Sequence, residues 1–335
     1  MTSTKSPVVP AEPDPEPEPQ PEIPRRGLNV RTLLAKYGIL IAFLILIIGV
    51  GLGNELFLTA RNWSNLLDQA VPIALLAIGV TICIIAGIFD LSTGSMLAVS
   101  AIVAAELAET SPTLAFVVGI GTGMLLGLVN GGIMAYTGVN SFIGTLSTAF
   151  VYRGIAFLVT GGAIVQFTSD SFRSLSQNDF LGLAWRVWLM LGVAVLLGLV
   201  LARTTLGRAF YAVGGNFEAA RLVGVRVTGV PTAAYVISGF CAGLAGVLTA
   251  SKIGSASTEN GLGLELSAIT AAIVGGTSIF GGEGAVWRAV VGVLFVLSIG
   301  NAFILLGIDS EFETLAEGLL ILAAVSLDQL VRRKK

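Results

Sequence analysis

Histidine is absent from this 335-residue chain. That one absence removes Ser-His and Cys-His nucleophiles, histidine-ligated metals and histidine proton relays together. Cysteine is nearly absent as well. Cys83 and Cys241 both lie inside apolar runs and read as small core residues, not as a disulfide framework. No G-x-x-x-x-G-K-[ST] phosphate loop occurs, since Gly138 to Thr145 has loosely similar glycine spacing but no lysine. Any ATP used must therefore be bound by another chain, and no metal site is expected on this one.

Charge is the third scarcity. Charged residues make up 12% of the chain against 54% hydrophobic, and the mean hydropathy is +0.88. Together these exclude an ordinary soluble domain and indicate a polytopic membrane protein. The formal net charge of -2 misleads, because Glu12, Asp14, Glu16, Glu18 and Glu22 sit with most of the prolines in the first 24 residues. Without that stretch, 16 acids face 18 bases.

Residues 1–24 show no apolar period and read as a disordered, acidic, Pro-rich cytoplasmic arm, too polar for a secretory signal peptide. The membrane domain is expected over 25–335. Arg25, Arg26, Arg31 and Lys36 precede the first apolar run, Tyr37 to Gly53, which puts the amino terminus inside. Further spans are expected near 69–89, 91–108, 113–136, 141–160, 187–202, 229–251, 264–282, 285–306 and 312–328. The fold class is thus all-α, with about ten transmembrane helices, short broken or re-entrant segments, and both termini cytoplasmic. Under this topology Arg61, Arg173, Arg186 and Lys252 are external and Arg153 lies within a span, while the other bases are cytoplasmic, a strongly positive-inside distribution.

Two stretches interrupt simple spans. Gly87-Ile-Phe-Asp90-Leu-Ser92-Thr-Gly94-Ser95 puts a carboxylate, hydroxyls and glycines where two apolar runs meet. Gly275-Gly-Thr-Ser278 with Gly281-Gly-Glu-Gly284 does the same late in the chain. Broken helices survive at membrane depth only where protein or water satisfies their backbone. Asp90-Leu-Ser92 against Glu265-Leu-Ser267 hints at an internal duplication. Gly119, Gly123, Gly127 and Gly131 form a flat stripe on the fourth span, and Gly239, Gly243 and Gly246 suggest another on the seventh.

Candidates for a translocation path are Asp90, Ser92, Asn130, Arg153 and Asn301. Each has a structural alternative. Asp90 reads first as a cap for the helix from Ser92 onward. Arg153 must avoid lipid, either as a pore-lining donor or as an internal ion-pair partner. Asn130, Asn301, Asn140, Thr145, Ser147 and Thr148 are individually more often interhelical glue, and Glu317 stands near an external mouth or pairs within the bundle.

The remaining interruption, the loop 203–228, is the most informative. Gly214-Gly215 stops what precedes, Asn216 can cap, and Gly224 can close a helix of Phe217 to Val223. Such a helix is too short to be stable alone. Phe217, Ala220 and Val223 at i, i+3 and i+6 give it an apolar face, which suits either docking to a partner or lying on lipid headgroups.

The run Gly214-Gly215-Asn216-Phe217-Glu218-Ala219-Ala220-Arg221-Leu222-Val223-Gly224 resembles the E-A-A-x-x-x-G cytoplasmic loop of ABC importer permeases. Asp90-Leu-Ser-Thr-Gly-Ser95 looks like the D-L-S-x-G-S signature of the ribose, xylose, galactose and arabinose branch. Gly275-Gly-Thr-Ser278 followed by Gly281-Gly282 looks like its late glycine motif. Phe89 is one residue more than the usual G-I-D-L-S run has, and Glu283 stands where a basic residue is common. The resemblance spans about 30–330. It implies a multi-pass bacterial inner-membrane permease for a small solute, a pentose or hexose above all, that performs no covalent chemistry. It also implies ATP hydrolysis on separate cytosolic ATPase subunits, an extracytoplasmic solute-binding protein, a second permease copy or paralogue, surrounding lipid, and no nucleic acid. Carried over, Gly215, Asn216, Glu218, Ala219, Arg221 and Gly224 would form the helix that couples to the ATPase. A secondary transporter driven by protons or sodium is the alternative class.

Overall fold

The computed structural model describes residues 30–309 and scattered positions between 311 and 326, with side chains from Tyr37 on. The acidic arm, Glu317, the carboxyl-terminal bases and most of the 312–328 span lie outside the described residues. The chain is built from helices: α1 Val30–Gly53, α2 Ala60–Ile85, α3 Thr93–Leu107, α4 Pro112–Thr137, α5 Ser141–Thr160, α6 Asp170–Gln177, α7 Trp185–Arg203, α8 Thr205–Gly215, α9 Phe217–Leu222, α10 Gly229–Ile253, α11 Leu264–Val274 and α12 Val286–Leu306.

Among the described residues, six helices are long and apolar enough to cross a membrane: α2, α4, α5, α7, α10 and α12. Two expected spans emerge shorter. The 91–108 run gives the 15-residue α3 and the 264–282 run gives the 11-residue α11. At about 1.5 Å per residue neither reaches across a hydrocarbon core of about 30 Å. The reason is local sequence, since the Asp90 hinge precedes α3 and the Gly275-Gly276 break follows α11. The helical count of the sequence reading therefore resolves into full spans plus partial ones.

The centre of the bundle is α2, α3 and α10. Every residue from Ala74 to Ala86 is buried, as is every residue from Asp90 to Ile102. Helices that are apolar on all sides belong inside, and these are wrapped by the others. In contrast α4 and α5 present Val117, Leu125, Phe150, Phe157 and Leu158 outward, a surface suited to lipid or to another chain.

Close packing follows the glycine stripes. A Cβ at Gly127 would overlap the Tyr235 carbonyl oxygen, one at Gly123 would come within 2.6 Å of the Gly243 Cα, and one at Gly131 within 2.8 Å of the Thr232 Cα. Helix α4 thus lies backbone to backbone on α10. Of the second stripe, Gly239 and Gly243 answer α4, whereas Gly246 turns to α3 and abuts Leu97. Helix α10 is the spacer that lets both neighbours approach.

At the end of the bundle opposite α9, short elements cover the helices. Strand β1, Val165–Gln166, pairs antiparallel with β4, Ser255–Ala256, and β2, Asp179–Phe180, forms a two-residue ribbon with β3, Leu183–Ala184. Helix α6 is fixed by Ser251 Oγ donating to the Phe172 carbonyl at 2.6 Å and Ser176 Oγ donating to the Leu248 carbonyl at 3.0 Å. The Thr168 amide and hydroxyl both donate to Glu109, which holds that carboxyl below its ordinary range and ties the α3–α4 turn to β1. Asp68 of α2 receives Arg186 of α7 and, at 2.7 Å, Lys252 of α10, so three helix ends share one ion cluster.

The glycine seam yields a comparison within one helix. Gly127→Leu should lower the melting temperature and the monodisperse yield of purified protein, because it forces α4 off α10 at a cost of about 1–3 kcal/mol or more. Gly121→Leu on the same helix, where an added Cβ meets nothing within 4 Å, should leave both near wild type. Equal losses in the two variants would show that the stripe does not set the packing.

Candidate functional site

The loop after α7 is a string of caps. Thr204 Oγ1 accepts from the Gly207 amide at 3.1 Å and starts α8. Gly207, Phe210 and Val213 bury one face of that helix against the bundle. Asn216 then has extended backbone, and its Oδ1 accepts from the Ala219 amide at 2.9 Å, so it ends α8 and caps α9 at once. Gly224 adopts φ 83°, and the Gly224 and Val225 amides return to the carbonyls of Arg221 and Ala220 at 3.0 and 3.1 Å.

Helix α9 has six residues, one fewer than the sequence suggests, and its faces are arranged differently. Ala220 is turned into the protein, while Phe217, Leu222 and Val223 are exposed at 46%, 82% and 80%. Of the apolar face read from spacing, Phe217 and Val223 point outward and Ala220 alone departs from it. The apolar surface is the outward one, and beside it Glu218 and Arg221 form an exposed ion pair at 3.3 Å. Gly215, Asn216, Glu218, Ala219, Arg221 and Gly224 are thus brought together in a single capped turn.

The second constellation surrounds Asp90. Its side chain is fully enclosed, and both oxygens are engaged. Oδ1 accepts from the Ser92 amide at 3.1 Å and the Ser92 hydroxyl at 2.7 Å; Oδ2 accepts from Ser238 Oγ of α10 at 2.7 Å. Asn130 of α4 donates through Nδ2 to Ser92 Oγ at 2.7 Å, and Tyr152 of α5 donates to Asn130 Oδ1 at 2.8 Å. The backbone of the hinge is held too. The Phe89 amide donates to Ser141 Oγ, the Leu91 amide to Thr145 Oγ1, and Tyr235 OH to the Phe89 carbonyl at 3.2 Å. Asp90 closes the turn that starts α3, with three further helices, α4, α5 and α10, reaching the same cluster. The extra residue Phe89 is accommodated by these bonds, with its ring edge-on to Phe142 at 6.2 Å.

Arg153 and Asn301 lie apart from this cluster. Arg153 is half-buried and donates from one nitrogen to the carbonyls of Thr258 and, at 3.0 Å, Asn260. It thereby staples the irregular stretch between β4 and α11, whose Gly261 packs on Gly94 near the start of α3 together with Glu265 from the first turn of α11. Asn301 and Asn62 exchange reciprocal amide bonds of 3.0 and 2.9 Å between α12 and α2. The sequence reading missed Ser238, Tyr152 and Tyr235 of the Asp90 cluster. One signal was present for Tyr152, because Ser141, Thr145, Thr148 and Tyr152 repeat at i, i+4, i+7 and i+11 and define a polar face of α5.

Known proteins resemble this chain over most of its length. The family described as "Branched-chain amino acid transport system / permease component" matches residues 62–325. The D-allose transport system permease protein of Escherichia coli K12 is 36% identical over 303 residues, covering 89% of this chain and 93% of that protein. The L-arabinose ABC transporter permease protein of Azospirillum brasilense is 35% identical over 309 residues, 92% of this chain and 91% of its own. The ribose import permease protein of Haemophilus influenzae is 36% identical over 301 residues, 88% and 93% respectively. No solved structure matches. With a buried Asp-Leu-Ser hinge, a capped Glu-Ala-Ala turn and full-length similarity to such proteins, the chain belongs to the permease family of ABC transport systems, in the branch of the simple-sugar importers.

Proposed function

We propose that this chain is the membrane-spanning subunit of an ATP-driven importer that carries a monosaccharide across the bacterial inner membrane. The observation that carries the docking part is α9, whose exposed Phe217, Leu222 and Val223 flank the Glu218–Arg221 pair on a helix too short to stand without a partner. The cytosolic ATPase subunits receive that surface. Arg203, Arg208, Arg221 and Arg226 belong to the same loop, whereas Arg186 and Lys252 belong to the opposite end of the bundle, which supports a cytoplasmic α9. An extracytoplasmic solute-binding protein meets the opposite end, and a second permease copy covers the apolar flank of α4 and α5. Membership of the permease family removes the gradient-coupled alternative.

Within the bundle, the solute path runs beside Arg153 and the irregular backbone from Ser257 to Gly263, because non-helical chain at membrane depth needs water or protein around it. Asp90, Ser92 and Asn130 brace that wall from behind, since their polar atoms bond to one another, whereas Asn301 stands apart and ties α12 to α2. Asp90→Ala should then act on folding, orphaning donors at about 1–3 kcal/mol each, read as a lowered melting temperature. Arg153→Lys, which keeps a cationic donor for the Thr258 and Asn260 carbonyls, should melt closer to wild type than Asp90→Ala while uptake falls. The opposite assignment of effects would exchange the two roles.

Uptake into vesicles should require ATP on the α9 side together with a separate ATPase chain. Uptake by this chain alone under an imposed ion gradient would overturn the importer reading. A Glu218→Ala, Arg221→Ala double variant should insert normally, since both side chains are exposed, yet lose ATPase association or solute-stimulated hydrolysis. Gly224→Val should impair coupling more than either single substitution, because a β-branched residue resists a φ of 83°. Wild-type association and coupling in these variants would remove α9 as the docking element.

A further inference from the structure

Three glycine-bearing interruptions far apart in sequence meet at one point directly behind α9. Gly214, next to last in α8, lies so close to the end of α2 that a Cβ there would overlap the Ile85 carbonyl oxygen and reach 2.9 Å from the Gly282 amide nitrogen. A Cβ at Gly281 would stand 2.6 Å from the Gly214 carbonyl oxygen and 3.0 Å from the Gly87 Cα, and one at Gly282 would stand 2.7 Å from the Gly215 Cα. The Gly282 amide donates to the Ile85 carbonyl at 2.9 Å, engaging one of the free carbonyls at the end of α2. Tyr211 of α8 donates to the Gly284 carbonyl at 2.9 Å. At Gly214, Gly281 and Gly282, α8, α2 and the loop following α11 touch backbone to backbone.

We propose that this backbone junction is the joint that transmits the docking state of α9 to the transmembrane helices, with Gly214, Gly281 and Tyr211 as positioning residues. The proposal rests on the reading of α9 as the ATPase-docking helix. A side-chain contact can absorb a displacement by changing rotamer, whereas backbone against backbone at this separation must move together or part. One residue, Asn216, separates α8 from α9, so a shift of α9 reaches Gly214 undamped. From Gly214 it divides. One branch goes through Ile85 and Gly87 to the Asp90 hinge and α3, and the other through Gly281 and Gly282 to the loop that follows α11.

Another glycine of the same region provides the test. A Cβ at Gly229, the first residue of α10, meets nothing within 4 Å. The complete complex of permease, ATPase and loaded solute-binding protein in proteoliposomes should be measured for solute taken up per ATP hydrolysed. Gly214→Ala should retain ATPase association while that ratio falls roughly tenfold, a coupling change of about 1.4 kcal/mol. Gly229→Ala should match wild type. Tyr211→Phe, which removes one hydrogen bond and no packing volume, should lower the ratio at an unchanged melting temperature. A wild-type ratio in Gly214→Ala, or an equal fall in Gly229→Ala, overturns the joint. Where Gly214→Ala does not fold, Tyr211→Phe decides, and a wild-type ratio there overturns it as well. Association reports the docking helix and the ratio reports the joint, so failure of one reading is visible apart from failure of the other.

Discussion

A buried carboxyl with no cation beside it among its hydrogen-bond partners must have its lone pairs met by fixed donors, and Asp90 meets that requirement at the point where the fold would otherwise come apart. Its oxygens gather the start of α3 and Ser238 of α10, and through Ser92 they reach Asn130 of α4 and Tyr152 of α5. In hydrocarbon an unmet polar group costs several kcal/mol, so the cluster is stable only when all members are present. That dependence makes it a device for specifying one arrangement of four helices, more than a source of net stability.

Everything around the cluster is arranged so that these helices can come close enough to share it. Lipid gives apolar helices little reason to prefer one another, and association depends on close contact and on hydrogen bonds between them. The α4–α10 seam supplies the contact through glycines on both sides, and Gly246 brings α3 to the other flank of α10. The polar cluster then sits at the crossing, where the seams have removed the space that water would occupy. Glycine and Asp90 therefore act as one design. The first sets the distance and the second sets the register.

Much of this was legible in the sequence, for identifiable reasons. The stripe on α4 could be read because a period of four maps directly onto one helical face, and the stops of α9 could be read because Asn216 and Gly224 act on their own backbone. The partners of Asp90 could not. Ser238 lies 148 residues away, and no local pattern encodes a distance of that kind. The same holds for Arg186 and Lys252 on Asp68, and for strands of two residues, too short to carry an alternation. The apolar face of α9 was legible only in part, for another reason. Spacing groups Phe217, Ala220 and Val223, but burial is decided by what stands opposite, and only the small Ala220 lies against the body.

Arg153 shows why position alone underdetermines role in a membrane. A cation inside a span suggests an acidic partner, yet its bonds go to the carbonyls of Thr258 and Asn260. Those carbonyls belong to chain that has left helical geometry and has no ladder of its own to satisfy them. The guanidinium carries several fixed donors and stays charged at depth, so it can serve two carbonyls at once and still present polar surface on its open side. By spending its bonds on backbone, Arg153 ties the irregular segment between β4 and α11 to α5, and the polar groups of that segment are met without a ladder.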